Sequence, residues 1–334
     1  MLKTYNSCTF CNSKKLKKEK KQILSKNFYI KAIISDLNLT VGKFNKIKVF
    51  KCLKCNNLQN SPWFDEHTAK KIYSNIYGQH NKSWTNLINF SRNKKNSPHG
   101  QLFKFLKKNI NIKNYAEFNS PFMGIFLDFF QEEYKDSPRF RKNVFNEALR
   151  YLSSRHVAGK SKKIQQMSSK ISYNSFNKLN EIKKKNFLKT GVKKYLFIDN
   201  SSLCWGTNDN YRSVNSKSLA MELFDLEIQD IRNEVKKNNI DLFGIFLTLD
   251  HTFEPKKIFD KALSISKYVL VQCHVGTTIN KQHLFMFTEG ILDYLNNNGI
   301  YSYNLNKIIK KKFNAPELYF ICSKKKKLIT SLKI

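Results

Sequence analysis

The chain has 334 residues, enough for one large domain or two modest ones around a buried core. Sixty lysines and arginines against 25 aspartates and glutamates give a formal charge of +35. That charge admits two readings, an anionic partner such as nucleic acid or a lysine-rich habit spread over every solvated face. No run approaches the roughly 18 apolar residues of a spanning helix, so no membrane span is expected.

The N-terminal stretch MLKTYNSCTFCNSKK lacks the apolar core of a secretory leader. Seven cysteines, an odd number, suit a reducing cytoplasm better than a disulfide framework. Four of them form two C-x-x-C knuckles, Cys8 with Cys11 and Cys52 with Cys55. Two such knuckles supply the four soft thiolates that a tetrahedral structural zinc ion demands, with no coordination position left for catalysis. The intervening ILSKNFYIKAII and FNKIKVFKC read as strands around a loop, the layout of a small zinc ribbon.

From Glu66 to Phe90 the spacing is helical, with Tyr73, Tyr77 and Trp84 recurring on related faces. SRNKKNSPHG at 91–100 is polar and carries Pro98 and Gly100, so the expected boundary separates an N-terminal unit, 1–90, from a larger one, 100–325. Beyond it, short apolar runs alternate with helical stretches. The strands expected are 114–119, 194–199, 224–229, 241–250, 267–274, 299–305 and 317–323, interleaved with QLFKFLKKN, PKKIFDKALSIS and FTEGILDYLNNNG as helices. This order predicts an α/β fold with a doubly wound, Rossmann-like, mostly parallel sheet and an antiparallel finish. Residues 131–193, polar and basic, read as a helical insertion. A doubly wound sheet presents ligands at the carboxyl ends of its strands, so those ends are where function is expected.

The layout resembles class I S-adenosylmethionine-dependent methyltransferases that carry an N-terminal zinc-binding domain, several of which act on nucleotide-linked deoxysugars. CTFC and CLKC, KIYSNIYG, FGIFLTLDHTFEPKKIFDKALSISKYVLVQCHV and QHLFMFTEGILDYLNNNGI carry the likeness. The resemblance implies a cofactor corner at NYAEFNSPFMG, with Glu117, Asn119, Ser120 and Gly124 against S-adenosylmethionine. Asn119, Pro121 and Met123 stand at the family's glycine positions, and Gly124 lies one place late. It further implies Asp199 at the ribose, Asp230 near the adenine, and Asp250-His251 beside the transferred methyl, His251 as base and Asp250 as its orienter. Tyr77 would orient a sugar-like acceptor. His274 and His283 also fall near expected strand ends, as cleft residues or ordinary surface. The second function open at this stage is a non-catalytic zinc-ribbon protein on a decayed methyltransferase fold that binds nucleic acid or another polyanion.

Overall fold

A computed structural model describes residues 2–22, 47–65, 98–118, 194–198, 240–246, 249–276, 284–309 and 317–332. The first strands are β1 (Leu2–Lys3), β2 (Leu16–Gln22), β3 (Ile47–Cys52), β4 (Leu58–Ser61) and β5 (Trp63–Phe64). Helix α1 (Pro98–Asn109) leads into β6 (Asn114–Phe118), β7 (Lys194–Ile198) and β8 (Ile240–Phe246). There follow α2 (Pro255–Ile265), β9 (Ser266–His274), β10 (Phe285–Met286), α3 (Ile291–Asn297), β11 (Tyr301–Asn304), β12 (Glu317–Ser323) and α4 (Lys326–Thr330).

The chain is mixed α/β. Its large sheet runs β11-β12-β9-β8-β6-β7. Strands β7, β6, β8 and β9 are parallel, whereas β12 is antiparallel to both β9 and β11. Every residue of β8 is buried, as are six consecutive residues of β9. Continuous apolar strands of this kind are what a parallel sheet covered on both faces requires. Near the middle of the sheet, a Cβ on Gly244 would lie 2.8 Å from the Tyr115 hydroxyl and 2.5 Å from the Phe246 ring. Glycine there lets two aromatics close over the strand.

At the amino-terminal edge of the same sheet, Asp241 is buried and serves three donors. Its Oδ2 accepts from the backbone N–H groups of Lys113 and Asn114, both at 2.9 Å, and its Oδ1 accepts from Lys267 Nζ at 2.7 Å. One carboxylate thus ties the entries of β6, β8 and β9 together.

Strands β2, β3 and β4 form an antiparallel meander, and β10 completes it in the order β10-β4-β3-β2. β2, LKKEKKQ, holds the edge, where charge discourages pairing with another chain. Strand β10 comes from far along the sequence, so the ribbon is finished by the same part of the chain that builds the large sheet. The two share one core. Phe243, Val271 and Phe320 on one face of the large sheet belong to the same apolar cluster as Phe259 of α2, Leu295 of α3 and the four knuckle cysteines. Phe10, inside the first knuckle, lies 5.9 Å from Phe259, 5.4 Å from Phe287 and 6.2 Å from Tyr294, centroid to centroid. These are ordinary aromatic packing distances.

Several expectations shift. The stretch 91–100, expected as linker, ends inside α1, which begins at Pro98; proline suits a first helical position because its missing N–H has no helical partner there. The strand expected over 241–250 stops at Phe246, and Leu249–His251 forms a single 3-10 turn. The expected strand at 224–229, the helix at 66–90 and the insertion at 131–193 lie outside the described residues.

Candidate functional site

The two knuckles have the same local design. In each, the second cysteine is followed by an asparagine in the left-handed region, Asn12 at φ 57° and Asn56 at φ 61°. Asparagine is among the residues that tolerate that conformation. The turn brings Asn12 N–H to the Cys8 carbonyl and Asn56 N–H to the Cys52 carbonyl, each at 2.9 Å. Cys8 and Cys52 in turn donate to the carbonyls of Ser13 (2.9 Å) and Asn57 (2.8 Å). Each knuckle therefore aims two Sγ atoms inward without help from the other.

Neighbouring side chains hold them in place. Gln59 on β4 accepts from the Thr9 backbone N–H at 2.8 Å through Oε1 and donates to the Ser7 carbonyl at 2.9 Å through Nε2, gripping the first knuckle. Thr288 grips the second: its hydroxyl donates to the Asn56 carbonyl at 3.1 Å and its N–H to Asn57 Oδ1 at 3.4 Å. Gln59 and Thr288 are functional positions that sequence reasoning missed. The asparagine after each C-x-x-C was a visible signal of the turn; neither grip had one, because each depends on pairing between distant strands.

The four Sγ atoms lie within 4.8 Å of one another, with Cys8 to Cys55 at 3.5 Å and Cys11 to Cys52 at 3.4 Å. A tetrahedral ion with metal–sulfur bonds of about 2.3 Å needs sulfurs about 3.8 Å apart. The set fits one metal ion, and all four cysteines are buried, which closes the site to a substrate. Charge distribution makes the same point. Hydrogen bonds from Cys55 and Cys8 draw Cys11 down to about 2, and that from Cys8 draws Cys52 down to about 6. Their bonds to Cys11 hold Cys8 and Cys55 well above the ordinary thiol value. Without a cation the cluster thus shares protons unequally, two sulfurs as thiolates and two as thiols. A divalent cation removes the conflict by stabilising all four as thiolates. Tyr294 beside them is pushed up to about 12, by burial first and then by the negative charge of Cys11, Cys55 and Cys8.

A second polar group sits at the carboxyl edge of the large sheet. Asp250, in the 3-10 turn after β8, is 0% exposed, and its Oδ2 lies 2.5 Å from Nδ1 of His274, the last residue of β9. The His274 side chain is 24% exposed. Burial lowers the His274 pKa, but the charge and hydrogen bond of Asp250, with the charge of Glu317, outweigh it and hold the imidazole above its ordinary value. Glu317 stands directly across from His274 on β12. It is fixed there by Gln272 Nε2 at 2.8 Å and the Tyr319 hydroxyl at 2.7 Å, both donating to its Oε2.

The carboxylate expected as an orienter is therefore paired, with an imidazole 24 residues away in sequence. His251 is placed by its backbone in the turn after β8; its side chain lies outside the described residues. Glu117 is placed by backbone in β6, one residue from the strand's end. Tyr77, Asn119, Ser120, Gly124, Asp199, Asp230 and His283 lie outside the described residues. One backbone fact bears on the cofactor corner: Phe118 at the end of β6 pairs in register with Ile198 at the end of β7. The chain therefore leaves these two strands side by side, at the positions that precede Asn119 and Asp199.

No known family model matches the chain, and no curated protein matches it. Among the described residues, no helix is long and apolar enough to cross a membrane.

Proposed function

We propose that the chain is an S-adenosylmethionine-dependent methyltransferase with a structural zinc ion at Cys8, Cys11, Cys52 and Cys55, acting on a sugar-like acceptor. One observation carries the reading: the order of the large sheet. The chain enters it at β6, goes to one side for β7, then returns to the other side of β6 for β8 and β9. That reversal is a topological switch point, the place where doubly wound sheets bind nucleotide-like ligands beyond the carboxyl ends of their strands. The parallel strands with an antiparallel finish fit the class I methyltransferase arrangement that the sequence resembles.

On this reading the stretch after β6 and Asp199 after β7 flank the cofactor, which when bound supplies a methyl group on a positively charged sulfur. Asp250, at the next carboxyl end, orients an imidazole that takes the acceptor's proton. A histidine near neutral pKa suits that work, and a carboxylate neighbour tunes and aims it. The zinc ion has a structural role only, because its four sulfurs leave no open position. Isothermal titration of zinc-loaded protein with S-adenosylmethionine and with its demethylated product tests the proposal. Saturable heat at micromolar concentration is the expected result, and no heat with either ligand counts against it.

A second reading has its own support. The ribbon displays exposed Lys14, Lys15, Lys17, Lys18, Lys48 and Lys54, and beside them Leu53 is 57% exposed. A non-catalytic, polyanion-binding protein would use this surface. Its affinity for a nucleic-acid column would fall steeply with salt. Retention that is the same at low and high salt removes this alternative.

A further inference from the structure

We propose that His274, with its Nδ1 held by buried Asp250, is the proton acceptor of the carboxyl-edge site, and that Asp250 acts as its positioning residue. The inference rests on the methyl-transfer reading for the nature of the acceptor, but the pair itself stands on its own geometry.

The placement is the first argument. β8 and β9 are adjacent and parallel, with Phe246 in register with Gln272. Asp250 in the turn after β8 and His274 at the end of β9 therefore meet at the same rim, beyond the strand ends where ligands of such sheets sit. The second argument is the contrast in exposure. The carboxylate is wholly buried, while the imidazole it holds is about a quarter exposed at 24%. A pair that served packing alone would gain little by burying a charge to hold a partly wet ring, because desolvating a carboxylate costs several kcal/mol. A base aimed at a ligand needs this arrangement, with one ring nitrogen fixed from behind and the other directed outward.

The third argument is the shell around the pair. The charged groups facing the ring are Asp250 from the turn after β8 and Glu317 from β12. Glu317 is itself locked by Gln272 and Tyr319, both nearly fully buried, and Tyr319 accepts from Gln272 Nε2 at 2.8 Å. Asn306 completes the support: its Oδ1 accepts from the Tyr319 N–H at 2.8 Å, and its Nδ2 donates to the Glu317 carbonyl at 2.8 Å. Rigid support of this kind is what keeps a reacting group in its productive geometry.

The Asp250 bond commits Nδ1 to carry the proton in the neutral ring, so Nε2 holds the lone pair. The step is a proton transfer: the acceptor's C–H or O–H bond breaks, an Nε2–H bond forms, and the electron pair stays on the acceptor. The imidazolium that results is stabilised by the two carboxylates flanking it.

The test uses the full-length, zinc-loaded chain with histidine labelled in 15N, and His274→Asn assigns the ring. Long-range proton–nitrogen spectra from pH 5 to 9.5 are expected to show the Nδ1–H form of the neutral ring and a midpoint above 6.5. In Asp250→Asn the midpoint should drop by a unit or more. A neutral ring protonated on Nε2, or a midpoint unchanged in Asp250→Asn, overturns the proposal. Asp250→Asn alters a buried charge, so the tautomer in the wild-type protein decides the matter if that variant does not fold. Calorimetry with S-adenosylmethionine and turnover with nucleotide-linked ketosugars complete the test. His274→Asn is expected to keep cofactor affinity and lose transfer by about 100-fold or more. Transfer at the wild-type rate in that variant overturns the assignment. If the wild-type protein binds no S-adenosylmethionine, the methyl-transfer reading fails and the spectra alone decide the dyad.

Discussion

Gly290→Ala tests whether the ribbon is built into the large sheet or merely rests on it. Gly290 caps the amino end of α3 with φ −61° and ψ −8°, a conformation open to any residue. On backbone grounds alone, alanine would therefore stabilise the chain by roughly 0.4–1 kcal/mol, through a less flexible unfolded state. The space around it decides the opposite sign. A Cβ at 290 would lie 2.8 Å from Asn56 Nδ2, 2.9 Å from Asn56 Cβ and 3.2 Å from Asn56 Cγ. The Cβ of Asn56 cannot swing away, because its backbone is held by the Cys52 carbonyl at 2.9 Å and the Thr288 hydroxyl at 3.1 Å. Either α3 or the second knuckle must shift, and overpacking of this kind costs about 1–3 kcal/mol. The net expectation is a loss of about 1–2 kcal/mol. At about 2–4 °C per kcal/mol for chains of some 150–250 residues, Tm should fall by about 2–8 °C. Calorimetric scans at fixed zinc concentration and scan rate give the readout. Asn56→Gly supplies the control, since its left-handed φ suits glycine and its side chain is the obstacle. The double variant should recover about 1 kcal/mol or more as coupling. A Gly290→Ala protein as stable as the wild type would refute the account of this junction.

Removing the metal should unfold more than the ribbon, because the cysteines lie in the same core as Phe243, Val271 and Phe320; loss of near-ultraviolet dichroism without loss of sheet signal on chelation would contradict this. Zinc uptake by the stripped protein at pH 7 should release about two protons, from Cys8 and Cys55, read from the dependence of binding heat on buffer ionisation. Asp241→Ala leaves two buried backbone donors and Lys267 without their acceptor, so unfolding by urea should show a loss of about 2–4 kcal/mol; a loss under 1 kcal/mol would mean that water replaces the carboxylate. The His274 imidazole has a raised folded pKa, so its contribution to stability is full below about 6.5 and fades as pH rises through the folded value. The gap in unfolding free energy between wild type and His274→Asn should accordingly narrow on going from pH 6 to pH 9, and a gap that widens would reverse the sign.

Much of the local structure could be read directly. Both cysteine knuckles were visible because each closes within a few residues, and ELYFICS coincides with β12 because a continuous apolar run between polar flanks has few other uses. β2 escaped notice because LKKEKKQ has one apolar residue, and its pairing with β3 rather than any apolar face makes it a strand. β4 and β10 were missed for a related reason: LQNS and FM are too short to show a period. The partner of Asp250 was hidden by register. Proximity in sequence suggests His251, whereas the parallel pairing of β8 with β9 carries His274 to the carboxylate. Local pattern reports which residues want to be buried or turned; it carries little about which distant edges will meet.

The junction between β4 and β10 joins positions as far apart as Asn57 and Thr288, 231 residues distant. During synthesis on the ribosome, the first four cysteines emerge early and have all they need to seize an ion. The open flank of β4 then waits, uncovered, until nearly the whole polypeptide has appeared. Closing so long a loop slows folding, and an unpaired flank invites strangers meanwhile. Early capture of zinc followed by late sealing makes this one seam the pacemaker of maturation, and the place where a chaperone would be needed most.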